Sequence, residues 1–330
     1  MKHKTSITII LLGMFLITQL IGIFVISSYL PKQGIEIING TEQNVTITPQ
    51  LPYGMQPPQV EPGFSLVSII ISFIFAILLI FILTKVKAVI FIRIWFFIVV
   101  IMALGIALNS IISLLPIKSF LQYSPYIALV IAVPLAIYKI FRRNIIIHNA
   151  TELLIYPGIA AVFVPILNVW TILLLLILIS IYDIYAVWHS KFMQNMAKFQ
   201  IDHLKLFTGF FVPYITKKQR AELKKQRFKE KRIKGKGRGK KMKINLAILG
   251  GGDVVFPMIT AGVMLKTFSM SMPFAIVSAL LVSVFATLAL LALFIFSKKG
   301  KFYPAMPFIT AGCIAGMIIA FAIARLIGFV

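Results

Sequence analysis

Long, almost unbroken apolar runs separated by short polar breaks organise this chain. An apolar helix needs roughly 20 residues to cross a bilayer. By that measure nine runs are candidate spans: Ile7–Leu30, Phe64–Leu83, Val89–Leu115, Tyr126–Ile140, Leu153–Leu167, Val169–Trp188, Ile244–Leu265, Pro273–Phe296 and Phe302–Phe329. The fourth and fifth are short, and only Asn168 separates the fifth from the sixth. Pro134, Pro157 and Pro165 fall in the fourth and fifth spans, where neighbouring helices must cover the freed backbone groups. A transmembrane barrel would instead show short segments of alternating polarity. The pattern predicts an all-α, polytopic membrane protein with nine transmembrane helices.

Composition narrows the class further. Hydrophobic residues make up 60% of the 330, charged residues 13%, and the mean hydropathy is +0.98. A soluble domain runs at about 45–50% apolar and about 25% charged. A water-soluble globule and a disordered chain are excluded. So is a disulfide scaffold, because Cys313 is the sole cysteine.

The net charge of +24 would suggest nucleic acid in a soluble protein. Its location argues for topology instead, and no nucleic-acid partner is expected. Between Lys191 and Lys243 stand eighteen Lys or Arg against three acids, Asp202, Glu222 and Glu230. Nine spans put this loop, the N-terminus and the segments bearing Lys85, Arg142 and Lys298 on one side. That side holds 29 of the 33 basic residues. The other keeps only Lys32, Lys118, Lys266 and Arg325. The positive-inside rule then places the N-terminus and the basic loop in the cytoplasm and the C-terminus outside, most simply in the cell membrane. The Lys2–Lys4 start fits a signal peptide. The first apolar stretch is too long for one and lacks a small-residue cleavage site, so an uncleaved helix is expected.

The chain divides at its basic loop. Residues 1–189 carry the first six spans, 190–243 the loop, and 244–330 the last three. Within the loop, Phe192, Met196, Phe199, Leu204, Phe207 and Phe211 have loosely helical spacing and suit the lipid interface. Thr216 to Lys243 is nearly all charge and glycine, ending in Lys234-Gly-Lys-Gly-Arg-Gly-Lys-Lys241, and reads as a disordered linker near anionic lipid. The outer segment from Pro31 to Pro62 is polar and expected to be exposed. It holds two glycosylation sequons, at Asn39 and Asn44, which also arise by chance in polar loops.

The chain has three Asp residues, and two, Asp183 and Asp253, lie inside spans. An Asp at a helix centre costs roughly 2.5–3.5 kcal/mol on insertion scales. Counted from Lys191 and Lys243 at about 1.5 Å per residue, the two sit roughly 12 and 15 Å from one boundary. Two carboxyls at one level share a proton, so one can accept from water while the other donates to a carbonyl oxygen. That pair could hydrolyse a peptide bond. Intramembrane carboxyls also serve as proton relays, and a buried hydrogen-bonded pair can be purely structural. Depth alone leaves all three open.

The flanking residues carry more. Tyr182-Asp183 lies in the sixth span. Gly250-Gly251-Gly252-Asp253 lies in the seventh, and Pro304-Ala305-Met306-Pro307 in the ninth. Together they resemble the GxGD intramembrane aspartyl proteases, the presenilin and signal peptide peptidase family, which carry Tyr-Asp, Gly-x-Gly-Asp and Pro-Ala-Leu in those same helices. Met306 stands in the Leu place, a nearly volume-conserving change. The resemblance implies a presenilin-like fold and an aspartic endopeptidase acting on single-span membrane proteins within the lipid. It implies Asp183 and Asp253 as the catalytic pair, with no cofactor, no metal and, as in archaeal presenilin-like relatives, no obligatory accessory subunit.

The orientation read from charge matches presenilin rather than signal peptide peptidase. In a helix the three glycines would strip bulk from beside Asp253 and admit another backbone. Pro304 and Pro307 would free backbone groups near the site, and Tyr182 would pack over the pair. The alternative is a proton- or cation-conducting membrane protein using the same aspartates; a carrier often shows a repeated half, and no internal repeat is visible. No His-Glu-x-x-His zinc motif and no Gly-x-Ser-Gly serine site occurs in a span.

Overall fold

The computed structural model describes residues 5–38, 41–47, 49–55, 88–115, 122–142, 144–189, 208–214, 245–297 and 303–328, with short pieces between 67 and 86. Helices dominate. They are α1 (Thr5–Ser28), α2 (Val89–Ile112), α3 (Ser124–Phe141), α4 (Ile145–Phe163), α5 (Val169–Trp188), α6 (Gly251–Thr267), α7 (Met272–Phe296) and α8 (Met306–Ile327). Among the described residues seven are long and apolar enough to cross a membrane, α4 counting with the 3-10 turn that carries it to Ile166. The eighth, α6, has 17 residues. The second span expected from sequence, 64–83, lies mostly outside the described residues, and its described pieces are helical.

The polar breaks act as helix starts. Asn168, the one residue interrupting the fifth and sixth runs, is the N-cap of α5. Its side chain accepts from the Thr171 amide at 2.9 Å, and the Thr171 hydroxyl accepts from the Asn168 amide at 2.7 Å. Such a cap is worth about 1 kcal/mol. Lys266, at the end of α6, donates to the carbonyls of Pro165 and Leu167 at 2.7 and 3.1 Å, so the break before α5 is also held from across the bundle.

Small residues set the helix contacts, as expected where lipid supplies no hydrophobic drive. A Cβ on Gly158 of α4 would collide with the Ala103 carbonyl of α2, so these backbones touch. Gly312 and Gly316 of α8 do the same against α7, where added Cβ atoms would lie 2.6 Å from Phe285 O and 2.7 Å from Val282 Cα. The main core gathers α1, α4, α5, α6, α7 and α8 around buried Phe15, Tyr156, Leu176, Met258 and Ala279.

Three expectations are corrected. The seventh run, Ile244–Leu265, is not one helix: Asn245–Gly250 is a strand, β4, and α6 starts only at Gly251. A short apolar run reads equally as buried strand or helix, and here a partner strand decides. That partner, β3 (Gly209–Tyr214), takes Phe211 out of the helical pattern assigned to the basic loop. Residues 190–207 and 215–244 of that loop lie outside the described residues. The outer segment, expected to be exposed, forms an antiparallel hairpin of β1 (Lys32–Ile38) and β2 (Thr41–Ile47). It then returns to the bundle, with Leu51 only 6% exposed and the Tyr53 hydroxyl donating to the Pro125 carbonyl at 3.0 Å. Asn44 lies on β2, and Asn39 outside the described residues.

Candidate active site

Asp183 lies near the end of α5 and is 7% exposed. One turn earlier the Ser180 and Thr310 hydroxyls bond at 2.8 Å and pin α5 to α8. This brings Asp183 to the first turn of α8. Its Oδ2 accepts from the Met306 amide at 3.0 Å, and the Ala305 amide also bonds this carboxyl. First-turn amides have no partner within their own helix, so a helix start is a natural seat for a carboxylate.

The prolines belong to this helix start. Pro304 precedes α8 and Pro307 stands in its first turn. Neither kinks a helix; at that position a missing N–H costs nothing. The Pro-Ala-Met motif is thus a helix start that aims two amides at Asp183.

Asp253 is built the same way on α6. It stands in the first turn, is partly buried, and its carboxyl accepts from the Gly250 amide. Aspartate in a first turn is favoured by the helix dipole. The three glycines do not sit mid-helix as expected. Gly250 ends β4 and caps α6, with a Cβ there lying 3.1 Å from Asp253 Oδ2; Gly251 and Gly252 open the first turn. A Cβ on Gly252 would make only ordinary contact with the Phe256 ring, at 3.6 Å. Asp183 lies within electrostatic reach of Asp253. Two carboxyls, each bonded by amides at the start of a different helix, thus lie within electrostatic reach of one another.

The β3–β4 ribbon leads into this site. Its register pairs Phe211 with Ile248 and Gly209 with Gly250. The Asn149 side chain of α4 bonds both backbone groups of Phe211, accepting from its amide at 3.0 Å and donating to its carbonyl at 2.8 Å. Phe211 therefore points its backbone away from β4, and by the alternation of an antiparallel ladder so do Gly209 and Pro213. His148 meets the Gly209 carbonyl at 2.8 Å, and Pro213 has no N–H to offer. That edge is closed. On β4 the same alternation turns the backbone groups of Leu246 and Ile248 to the other edge. Among the described residues no strand pairs there, and that edge runs directly to Asp253.

Tyr182 is 37% exposed and lies within electrostatic reach of Asp183. Pro304 and Met306 are buried, while Ala305 and Pro307 are half-buried. The residues that sequence reasoning missed lie on α4. His148, Glu152 and Tyr156 recur every four residues and share one face. Glu152 is fully buried and accepts from Lys139 at 2.7 Å, an ion pair sealed between α3 and α4. The four-residue recurrence was a readable signal, as was Gln19 in the middle of the apolar α1.

Comparison with known proteins adds an independent line. The family model described as signal-peptide peptidase, presenilin aspartyl protease matches residues 14–326. Two solved structures of presenilin family intramembrane aspartate proteases, from C222 and P2 crystals, share the fold. Each is 18% identical, with TM-scores of 0.57 and 0.53. The matches cover 96% and 95% of this chain and 99% and 97% of those chains. A comparison with curated proteins gives no match.

Proposed function

Since the chain belongs to the signal-peptide peptidase and presenilin aspartyl protease family, we propose that it hydrolyses peptide bonds within the transmembrane helices of single-span proteins, with Asp183 and Asp253 as the catalytic pair. The observation that carries this reading is the nearness of two carboxyls, each held by amides at a helix start, to a strand edge that no other strand among the described residues pairs.

Two such carboxyls share one proton. The ionised member takes a proton from water as its oxygen attacks the scissile carbonyl carbon. The protonated member gives its proton to the carbonyl oxygen, forming a neutral tetrahedral diol. On collapse the C–N bond breaks, the amine leaves with a proton, and the shared proton is restored. The protons belong to the pair as a unit. A helix hides its peptide bonds, so the substrate must unwind before attack. The Leu246 and Ile248 backbone groups of β4, turned away from β3, offer an unwound segment a ladder to join, ending at Asp253. Tyr182, Gly250, Gly251, Gly252, Pro304, Ala305, Met306 and Pro307 shape the site around that segment. With the N-terminus cytoplasmic, the accepted substrates have theirs outside. A single chain suffices.

The test is cleavage of a generic single-span peptide by the purified protein in detergent, beside Asp183→Ala and Asp253→Ala. Wild type should cut, and both folded variants should lose all measurable activity. Variants that cut as well as wild type, or a wild type that cuts none of several helices, would overturn the reading. Proton flux in liposomes would then test the conducting alternative.

A further inference from the structure

Among the described residues three buried side-chain atoms lack a hydrogen-bond partner: Gln19 Oε1, Glu152 Oε2 and Tyr156 Oη. They come from α1 and α4, both packed on α6. Gln19 is tied to the first turn of α6, its amide nitrogen donating to the Val254 carbonyl at 3.0 Å. Tyr156 reaches the same turn. A Cβ on Gly251 would lie 2.9 Å from its hydroxyl oxygen, so this middle glycine leaves the space that the phenol enters. Glu152, one turn earlier on α4, has one oxygen held by Lys139 and the other free. Both Glu152 and Asp253 act electrostatically on the phenol.

Packing alone does not account for a tyrosine here. The ring meets Phe210 of β3 edge-on at 5.6 Å, which phenylalanine would do as well. A buried hydroxyl is retained where its proton is used, and the acceptors at hand are the free Glu152 oxygen and the carboxyl of Asp253.

We propose that Tyr156 is a positioning residue for Asp253: its buried hydroxyl, backed by Glu152, seats the Gly251–Asp253 turn and orients that carboxyl within the pair. The inference rests on the reading of Asp253 as catalytic. The ionisable groups around the phenol are Glu152 and His148 on α4, Lys139 on α3 and Asp253 on α6, with Asp183 of α5 beyond Asp253. Its hydroxyl stands between the buried Lys139–Glu152 pair and Asp253, within electrostatic reach of both.

The experiment is the pH–rate profile of peptide cleavage for wild type, Tyr156→Phe, Gly251→Ala, the double variant and Asp253→Asn. Tyr156→Phe should lower kcat about tenfold or more with KM little changed. Its profile should move by about half a pH unit or more, which a merely structural filler would not cause. Gly251→Ala pushes a methyl into the hydroxyl, so it should cost less in the Tyr156→Phe background than in wild type. An unmoved profile, or equal costs of Gly251→Ala in both backgrounds, would overturn the proposal. Should Tyr156→Phe not fold, Gly251→Ala alone decides by the same profile. Activity surviving in Asp253→Asn would overturn the catalytic reading and this inference with it.

Discussion

Asp183 is held by the backbone of Met306, not by its side chain. Leucine at 306 would present the same amide from the same helix start and fill nearly the same volume. Met306→Leu should therefore leave cleavage within about fivefold of wild type, checked by kcat/KM on one peptide; total loss would mean the side chain itself lines the cut. At this scale the sequence exposed what was costly. Two carboxyls in apolar runs stand out because lipid penalises them, and they drew attention to the site. Tyr156 did not stand out, because a tyrosine in an apolar helix is unremarkable until its hydroxyl is seen at Gly251. The Lys139–Glu152 pair is a further residue-scale consequence. Removing one partner leaves a buried charge alone, so Lys139→Met should cost about 3–5 kcal/mol, read by thermal unfolding in detergent. Replacing both residues by apolar ones of like volume should cost less.

Element boundaries were readable wherever a polar residue punctuated an apolar run. Val169–Trp188 was expected and found, because Asn168 is both the break and the cap. The run from Ile244 was misread because six apolar-rich residues fit strand and helix alike, and the deciding partner lay about 35 positions earlier across a charged loop. The register makes a sharp prediction about β4. Ile248 turns its N–H to the open edge, whereas Ala247 turns its own to β3. Ile248→Pro should keep the folded state and lower cleavage about tenfold or more, whereas Ala247→Pro should also disrupt the ribbon. Limited proteolysis beside the cleavage assay separates the two. Equal activity of Ile248→Pro and wild type would remove the β4 edge from substrate binding.

At the scale of the whole molecule the orientation is an expectation from charge, since Lys and Arg resist translocation while apolar runs do not care which way they face. What charge leaves silent is tertiary: the segment after the outer hairpin that sets Tyr53 against Gly105 of α2 and Pro125 of α3, and the glycine contacts that let α7 and α8 touch. Cys313 is fully buried, so the chain is a ready background for cysteine mapping. With a membrane-impermeant maleimide on intact cells, Gly328→Cys should label from outside and Arg142→Cys only after lysis. The reverse pattern would invert the orientation. One last property follows from how far the site's supports lie from it along the chain. The Met306 amide that holds Asp183 comes 123 residues later, and the Gln19 amide that holds the turn of Asp253 comes 235 residues earlier. During synthesis neither carboxyl is seated when it enters the bilayer. Asp253 waits for α6 to dock on α1, and Asp183 waits for α8. On the proposed reading the pair gains its chemistry only once α8 has docked, long after the helix bearing Asp183 has entered the bilayer.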